Sequence, residues 1–413
     1  MPIQGLRDTS NFATNERSEN WRTGYLLLYP NGKTPLTALT STMKERSVDD
    51  PVFHWWEKSL DDRRMALHAT SGDLDAPAAG TIQSLTLDAS ANAITLKAND
   101  VLWVEHTDEK LRVYADPTSN TVVTVVRGFE GTTPVAVDAN GLGVNPNLSV
   151  IGSAFEQGSL APTGINFDPT ERSNYTQIFR STMEITRTAA KTRLRTVDAV
   201  KEARRECLEY VNVDMERSFW FGNKSVGTLN GKPIYTTSGI YNLMSSGNIF
   251  TTTGGIVDMD LLDVRMELLF REGSNEKMAF CGNKFLSTLN TVVRKNTSYH
   301  WKGGEKEFGM EVTRLVCPFG TVVFKTHPLF TQMSGGTTTG VDYYGMNTGA
   351  FILDMSEIQY VYLRESDLKY EGDLQAIGQD AMKAGYIAEC GIELHHPTTH
   401  HLWKGFNTGR EDI

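Results

Sequence analysis

Four histidines close together near the end of the sequence are the strongest candidate metal ligands: His395, His396, His400 and His401. Glu393 and Cys390 precede them, and imidazoles at this density can bind zinc or nickel. In a strand, however, His395 and His396 point to opposite faces, and Pro397 then interrupts the strand. The pattern therefore favours a structural role for these histidines, and four convergent metal ligands are not expected.

The other candidate catalytic residues lack a partner that would complete a mechanism. Ser225 lies between glycines in the segment 222–227, and nothing in the sequence orders a general base beside it. The carboxylate pairs at 49–50 and 61–62 lie in loop-like sequence, where solvated turn residues are expected. The chain has no phosphate-binding loop, dinucleotide fingerprint, nucleophile elbow or HExxH zinc motif. We expect no enzyme activity, no cofactor and no bound metal.

A third chemistry is stacking on nucleic-acid bases, for which aromatic residues interleaved with cations are suited. Such a cluster occurs at Phe53, Trp55, Trp56, Arg63 and Arg64. The whole chain, however, has 40 Lys and Arg against 50 Asp and Glu, a formal charge of -10, which argues against a dedicated nucleic-acid binder. An aromatic contact between subunits is the favoured role. The one basic stretch, 180–224 (net +3), is expected to be a solvated helix face, with a position near a polyanion as the alternative.

Length and composition indicate a globular protein of more than one domain. At about 150 residues per domain, 413 residues predict two to three domains, enough to bury a large core. The four cysteines are far apart and form no C-x-x-C pair, so they are expected to be reduced, buried thiols made in a cytoplasm. No apolar run approaches the roughly 20 residues of a membrane span, so membrane anchoring is not expected.

In the first half of the chain, the sequence predicts mainly strands, with a separate block of short strands between them. Residues 52–57 have the aromatic and β-branched content of a strand, and their expected partner lies within 174–186. The block between them, 71–152, carries short strand-like runs at the spacing of a small sandwich or barrel: 84–87, 93–96, 101–104, 111–114 and 121–126. Its ten acidic and four basic residues leave a charge of -6, so most of the acidic excess lies there.

The second half mixes helices and strands. Apolar residues at spacings of three and four predict an amphipathic helix over 196–219, capped by Thr196, and a second helix from the Asp258 cap towards Gly273. A strand at 277–281 and a helix at 284–294 follow, and then the clearest strands: 350–353, 357–363, 386–394 and 400–406. This order of elements is typical of the mixed α+β class.

The ordered series of segments resembles the major capsid proteins of tailed bacteriophages with the Hong Kong 97-type fold, in a branch with an inserted β-domain. The matching segments are 35–39 (PLTAL), 51–57 (PVFHWWE), 151–158 (IGSAFEQG), 174–179 (NYTQIF), 202–204 (EAR), 351–355 (FILDM) and 396–406 (HPTTHHLWKGF). Each motif is short, and their order over nearly the whole chain carries the resemblance.

The resemblance implies a domain layout. Residues 1–50 would form an N-terminal arm with one short helix, and 51–186 an E-loop, an extended hairpin that carries the insertion 71–152. The peripheral domain would combine 187–222, with the spine helix 196–219, and 357–397. The axial domain would combine 223–356 with 398–413. We expect the insertion to fold compactly as a β-barrel or sandwich and to project from the outer surface.

The function implied is self-assembly, as hexamers and pentamers, of the icosahedral shell of a virion that encloses double-stranded DNA without sequence-specific binding. Expected partners are other copies of the chain, with portal, scaffold and decoration proteins as further candidates, and synthesis would occur in the host bacterial cytoplasm. No long charged helical prefix precedes the arm, so a scaffolding segment would be absent, removed or encoded separately. No lysine and asparagine pair in this sequence can be aligned with the pair that would form a covalent crosslink between subunits. Whether the subunits are crosslinked is therefore left open.

Two alternatives from other classes remain at this point. The β-block and the aromatic residues would suit a virion adhesion or carbohydrate-binding protein, and Ser225 or the histidines would suit a hydrolase. A glycan array would separate the first from a shell subunit, and metal analysis with a Ser225→Ala comparison would separate the second.

Overall fold

The computed structural model describes twelve stretches of the chain. They are residues 44–58, 63–68, 73–74, 77–88, 92–135, 137–138, 147–192, 198–252, 257–294, 300–307, 310–333 and 346–406. Most of the predicted arm, including its short helix, lies outside these residues. No helix in the described stretches has both the length and the apolar character to cross a bilayer.

The first twelve strands include those of the predicted β-block. They are β1 (Glu45–Val48), β2 (Val52–Glu57), β3 (Arg64–Ala66), β4 (Asp73–Leu74), β5 (Ile82–Thr86), β6 (Asp100–Val104), β7 (Lys110–Val113), β8 (Val122–Val126), β9 (Val137–Asp138), β10 (Asn147–Ser153), β11 (Thr170–Tyr175) and β12 (Gln177–Thr186). The predicted strand at 93–96 is wrong, because Ala93–Thr95 forms a single 3-10 turn. Thr95 there bonds back to the Asn92 carbonyl through both its amide and its hydroxyl, which closes the turn.

The later strands alternate with helices. They are β13 (Ser225–Leu229), β14 (Lys232–Thr236), β15 (Ile249–Thr251), β16 (Glu276–Cys281), β17 (His300–Glu307), β18 (Met310–Cys317), β19 (Gly320–Thr326), β20 (Ala350–Leu353), β21 (Ile358–Leu363), β22 (Lys369–Glu371), β23 (Ala381–Leu394) and β24 (His401–Lys404). The α-helices are α1 (Arg187–Lys191), α2 (Ala199–Phe221), α3 (Ile240–Leu243), α4 (Met259–Leu269), α5 (Asn283–Arg294) and α6 (Pro328–Met333). The predicted α+β class is confirmed.

The chain divides into two compact units, of which residues 56–170 form one. Its six-stranded antiparallel sheet has the order β3-β10-β6-β7-β8-β5. Alternate side chains of these strands, such as Leu111, Val113, Val123 and Val125, are fully buried in one apolar core. The predicted block 71–152 lies inside this unit.

The other unit contains residues up to 55 and from 171 onward, and one of its two large sheets is built around β23. The order is β1-β21-β23-β12, with β22 also paired to β23. Only β1 and β21 are parallel. All ten residues of β12 pair with β23, so this part of the predicted E-loop runs within the sheet. The predicted partner of β2 was the segment 174–186. Since β2 pairs with β11, which ends at Tyr175, this prediction is confirmed only for the first residues of that segment.

The second sheet of this unit has seven strands in the order β15-β24-β20-β16-β19-β18-β17. Helices α4 and α5 pack on one face, where Leu262, Met266 and Phe285 are fully buried. The opposite face shares a core with α2 and the β23 sheet, to which Phe219, Phe280 and Ile392 contribute. All four cysteines are buried and free, as predicted.

The long helix α2 is confirmed, but its predicted boundaries and cap are wrong. The helix begins two residues later than the Thr196 cap predicts, because the Asp198 side chain accepts the Val200 N–H at 2.9 Å. It continues to Phe221, where Gly222 ends it. A Cβ on Gly222 would lie 2.5 Å from the carbonyl oxygens of Ser218 and Thr237, so no larger residue fits this close approach.

Candidate assembly surfaces and the predicted site residues

Residues 154–169 form an extended segment that almost nothing in its own unit covers. They contain no helix or strand, and nearly every residue is exposed. Leu160 is 91% exposed, and Phe155, five residues before it, also faces solvent. Ordering a chain costs about 1–2 kcal/mol per residue in backbone entropy, which buried apolar surface normally offsets. An exposed segment with large apolar side chains is therefore a candidate contact for another molecule.

The hairpin of β13 and β14 is a second candidate surface. Asn230 and Gly231 have φ of +52° and +73°, the backbone of a tight two-residue hairpin turn. Three of its apolar side chains remain in solvent: Val226, Leu229 and Ile234. A two-stranded hairpin is marginally stable alone, so a partner that covers these side chains would stabilise it. The Asn-Gly pair was the sequence signal for this hairpin, which the sequence analysis missed.

The base of this hairpin is held on β11. Lys224 Nζ donates to the carbonyl and hydroxyl oxygens of Ser173 at 2.9 and 2.7 Å. The same ammonium group lies 4.8 Å from the ring centroid of Tyr175, and this ring contacts that of Tyr235 at 5.5 Å. These contacts fix the base while leaving the tip free to reach another molecule.

The predicted aromatic and cationic cluster is not a base-stacking surface. Phe53 and Trp55 are buried against Val48 and Val361, which leaves only Trp56 of the three aromatic residues exposed. Gly391 permits this packing, because a Cβ there would lie 3.1 Å from Cε1 of Phe53. The stacking hypothesis fails for Phe53 and Trp55 because their rings are part of the core.

The two arginines of that cluster are also engaged. Arg64 donates from Nε and Nη2 to the two carboxylate oxygens of Glu105, both at 2.6 Å, and Arg63 pairs with Asp100. The bonds from Arg64 and Ser149 hold the pKa of Glu105 at about 2, well below its usual value. Neither guanidinium is therefore a free phosphate ligand.

The four histidines do not converge on a metal position. His395 Nε2 lies 3.0 Å from Glu393 Oε2, and buried Glu393 also accepts from Arg46 Nη1 at 2.8 Å. His396 has a left-handed backbone, φ +45°, that turns the chain before Pro397. Within the described stretches, no group of three or more His, Cys, Asp or Glu side chains could hold a metal ion.

His400 belongs instead to a buried structural network. Its Nδ1 accepts the Asp354 N–H at 3.2 Å, and its Nε2 donates to the His395 carbonyl at 3.1 Å, which defines a neutral ring. Burial lowers the pKa of His400 to about 4. Nearby, the buried Lys277 donates to the carbonyls of Glu272 and Thr399, and burial lowers its pKa to about 8.

The remaining predicted residues show no catalytic arrangement in the described stretches. Ser225 begins the exposed strand β13, and its carbonyl accepts from the Thr236 hydroxyl. Asp50 Oδ1 accepts the Val52 N–H at 2.8 Å, and Asp49 pairs with Arg364 at 3.0 Å. Residues 61–62 lie outside the described residues.

Two buried polar clusters were missed by the sequence analysis. In one, Glu216 of α2 accepts from Trp220 Nε1 at 3.1 Å and lies 2.7 Å from His327 Nε2, with all three side chains in the core. Since Leu329 N–H donates to His327 Nδ1, the Nε2 nitrogen carries the proton and donates to Glu216. This cluster ties α2 to the segment that follows β19.

The other cluster joins Arg127 and Glu109, whose side chains are 0% exposed. Arg127 Nε and Nη2 each donate to one carboxylate oxygen at 2.7 Å. The remaining groups are also satisfied, since Arg127 donates to Gln83 and to the Val135 carbonyl, and Glu109 accepts the N–H groups of Gly128 and Val135. Such a closed network fixes the sheet of residues 56–170 around one charge pair.

Comparison with known proteins adds information that the geometry alone lacks. The family model described as SU10 major capsid protein matches residues 8–407. The major capsid protein of Pseudomonas phage PaMx41 is 24% identical over 409 residues, covering 93% of this chain and 91% of that protein.

Solved structures with a similar arrangement include one of Mycobacterium phage Bobi, at 9% identity and a TM-score of 0.46, covering 96% of this chain and 97% of that one. The SrpI encapsulin of Synechococcus elongatus has 10% identity and a TM-score of 0.42, covering 60% of this chain and 80% of that one. The predicted resemblance to phage major capsid proteins is confirmed by the family match over nearly the whole chain. This chain belongs to the SU10 major capsid protein family.

Proposed function

We propose that this chain assembles as hexamers and pentamers into the icosahedral shell that encloses a double-stranded DNA genome. Its family supports a structural role in a phage virion, and the exposed segment 154–169 is the observation on which the proposal of self-assembly rests. A shell subunit orders such a segment by laying it on another copy. Neither an adhesin nor a hydrolase accounts for the family match.

The proposed layout keeps the parts implied by the sequence. Residues 1–50 are the arm and 51–186 the E-loop with the insertion 71–152. Residues 187–222, which include the spine helix, form the peripheral domain with 357–397, and 223–356 form the axial domain with 398–413. The two sheets support this division, since β21 and β23 fall in one part and β16, β19 and β20 in the other. Full pairing of β12 with β23 supports an E-loop whose last ten residues, 177–186, run within the β23 sheet.

The charge distribution supports enclosure of DNA without sequence-specific binding. The β-block has a charge of -6, whereas 180–224 has +3. A shell with the β-block on its outer surface and the spine helix towards its interior would therefore suit a polyanionic genome. Four buried, free thiols suit assembly in a reducing host cytoplasm. Portal, scaffold and decoration proteins remain further proposed partners.

The test uses Leu160→Asp in the full chain. If Leu160 is buried by a neighbouring copy, a charge there leaves the subunit folded but prevents its contact, because an unpaired buried carboxylate is costly. We expect Leu160→Asp to lower shell yield at least tenfold in sedimentation and electron microscopy, with an unchanged Tm of the unassembled protein.

Ser159→Asp is the matched control, since it adds the same charge one residue away on a side chain that is already polar. Shell yield within twofold of wild type is expected for this control. Normal shells from Leu160→Asp would refute the proposed contact, and absence of shells or capsomers from the wild-type protein would refute self-assembly.

A further inference from the structure

A pocket of about 170 Å³ lies at the β15 edge of the seven-stranded sheet. Phe250 of β15, Arg265 of α4 and His401 of β24 line it, together with Arg271 and Glu272. Its walls are therefore partly aromatic and partly cationic.

Arg265 is the unusual residue of this pocket. Its Cζ lies 3.5 Å from the centroid of the Phe250 ring, and its Nε is buried without a hydrogen-bond partner. Within the described stretches, its guanidinium makes no hydrogen bond or ion pair. Burial lowers the pKa of Arg265, although the group stays charged at neutral pH. A partly buried cation without an acceptor costs stability, so an acceptor that enters the pocket would be favoured.

His401 supplies a second donor to the same space. Burial and the nearby cations Lys277 and Arg265 lower its pKa to about 4, so the ring is neutral at pH 7. A neutral imidazole keeps one N–H donor, and no described residue forms a hydrogen bond with this ring.

The other polar groups at the pocket are already engaged or exposed. Asn248 Nδ2 donates to the carbonyls of Thr398 and His400, and Arg271 pairs with Glu267 at 3.0 Å. Glu272 also lines the pocket, but its side chain is exposed, so water screens its charge. The unsatisfied donors of the pocket therefore come from Arg265 and His401.

We propose that this pocket binds an oxyanion, a carboxylate or phosphate group, through Arg265 and His401. A guanidinium presents parallel N–H groups that match two oxygens of one such group. The apolar wall formed by Phe250 and Trp403 limits solvent screening and strengthens the attraction. The oxyanion comes either from free phosphate or from an acidic side chain of a neighbouring copy, and the test separates the two.

The first experiment uses unassembled full-length protein and inorganic phosphate at constant ionic strength. Phosphate should raise the Tm of the wild-type protein saturably, since a ligand bound only to the folded state stabilises it. Arg265→Met keeps the contact with Phe250 but loses the donors. We expect it to need at least tenfold more phosphate for the same shift, the loss expected for one charge-assisted bond.

Arg187→Met is the matched control, because it removes one exposed arginine elsewhere and should leave the phosphate response unchanged. If Arg265→Met does not fold, Arg265→Gln serves in its place. Equal phosphate responses of wild type and the Arg265 variant would overturn the proposal. This arm needs no shell, so it stands apart from the proposed function.

The second experiment adds phosphate to assembled wild-type and Arg265→Met shells. If a neighbour's carboxylate fills the pocket, the variant shell melts lower in phosphate-free buffer and phosphate does not stabilise the wild-type shell. If the pocket takes free phosphate, phosphate stabilises the wild-type shell alone. Both outcomes support an oxyanion site. If the wild-type and Arg265→Met shells melt at the same temperature in both buffers, the oxyanion site is contradicted.

Discussion

Replacing Arg127 by methionine should destabilise residues 56–170 far more than its single charge suggests. The change removes two 2.7 Å bonds to Glu109 and leaves that carboxylate, which is 0% exposed, with the N–H groups of Gly128 and Val135 as its donors among the described residues. Breaking a buried ion pair in this way costs about 3–5 kcal/mol. The double variant Arg127→Met/Glu109→Gln removes both charges, so we expect it to be about 2 kcal/mol more stable than Arg127→Met alone.

Amide hydrogen exchange of peptides from residues 64–153 is the appropriate assay, because it measures the opening free energy of this sheet separately from the rest of the chain. Arg64→Met is the matched control in the same sheet. Its pair with Glu105 is bidentate too, but the Arg64 side chain is 54% exposed, so a cost below about 1 kcal/mol is expected. Equal losses from Arg127→Met and Arg64→Met would refute the reasoning, as would a double variant as unstable as the sum of its single changes.

Two further predictions concern His400 and Gly391, which lie in the other unit. Because the folded-state pKa of His400 is about 4 and that of the unfolded chain near 6.5, the unfolded state binds more protons between these values. His400 should thus destabilise the fold by up to about 3 kcal/mol as the pH falls through this window, and urea denaturation of His400→Gln should show a flatter dependence; an unchanged slope would contradict this. Gly391→Ala should cost about 1–3 kcal/mol in the same assay, because its Cβ would lie 2.8 Å from the Tyr175 carbonyl oxygen, whereas Gly164→Ala, with nothing within 4 Å, should be neutral. Equal effects of the two alanines would refute the packing argument.

Local periodicity predicted the elements well where one face is apolar and the element is long. Helix α2, strands β6 and β8, and residues 386–394 of β23 follow directly from such patterns. The cap of α2 was wrong because Thr196 and Asp198 are both good caps, and only the bond from Val200 N–H to Asp198 distinguishes them. Short runs such as 93–96 lack the length that separates a strand from a single turn.

The buried clusters depend on tertiary contacts that a single sequence does not contain. Glu216 and His327 are 111 residues apart, and neither residue type is usually buried. The pair of Glu109 and Arg127 was more accessible, since Glu109 immediately precedes β7 and Arg127 immediately follows β8, the adjacent strand. Placing charges beside the paired ends of predicted neighbouring strands would have suggested this contact.

The exposed segment 154–169 shows a different limit. The structure shows which of its apolar side chains a partner would cover, namely Leu160 and Phe155, which are both in solvent. The identity of that partner is a property of the assembly and not of one chain.

A cryo-electron microscopy reconstruction of particles formed by the full-length protein tests the central claim most directly. The account predicts a closed shell of hexamers and pentamers in which Leu160 of one copy is buried against the next. Particles without this symmetry, or a shell in which 154–169 of every copy remains in solvent, would contradict it.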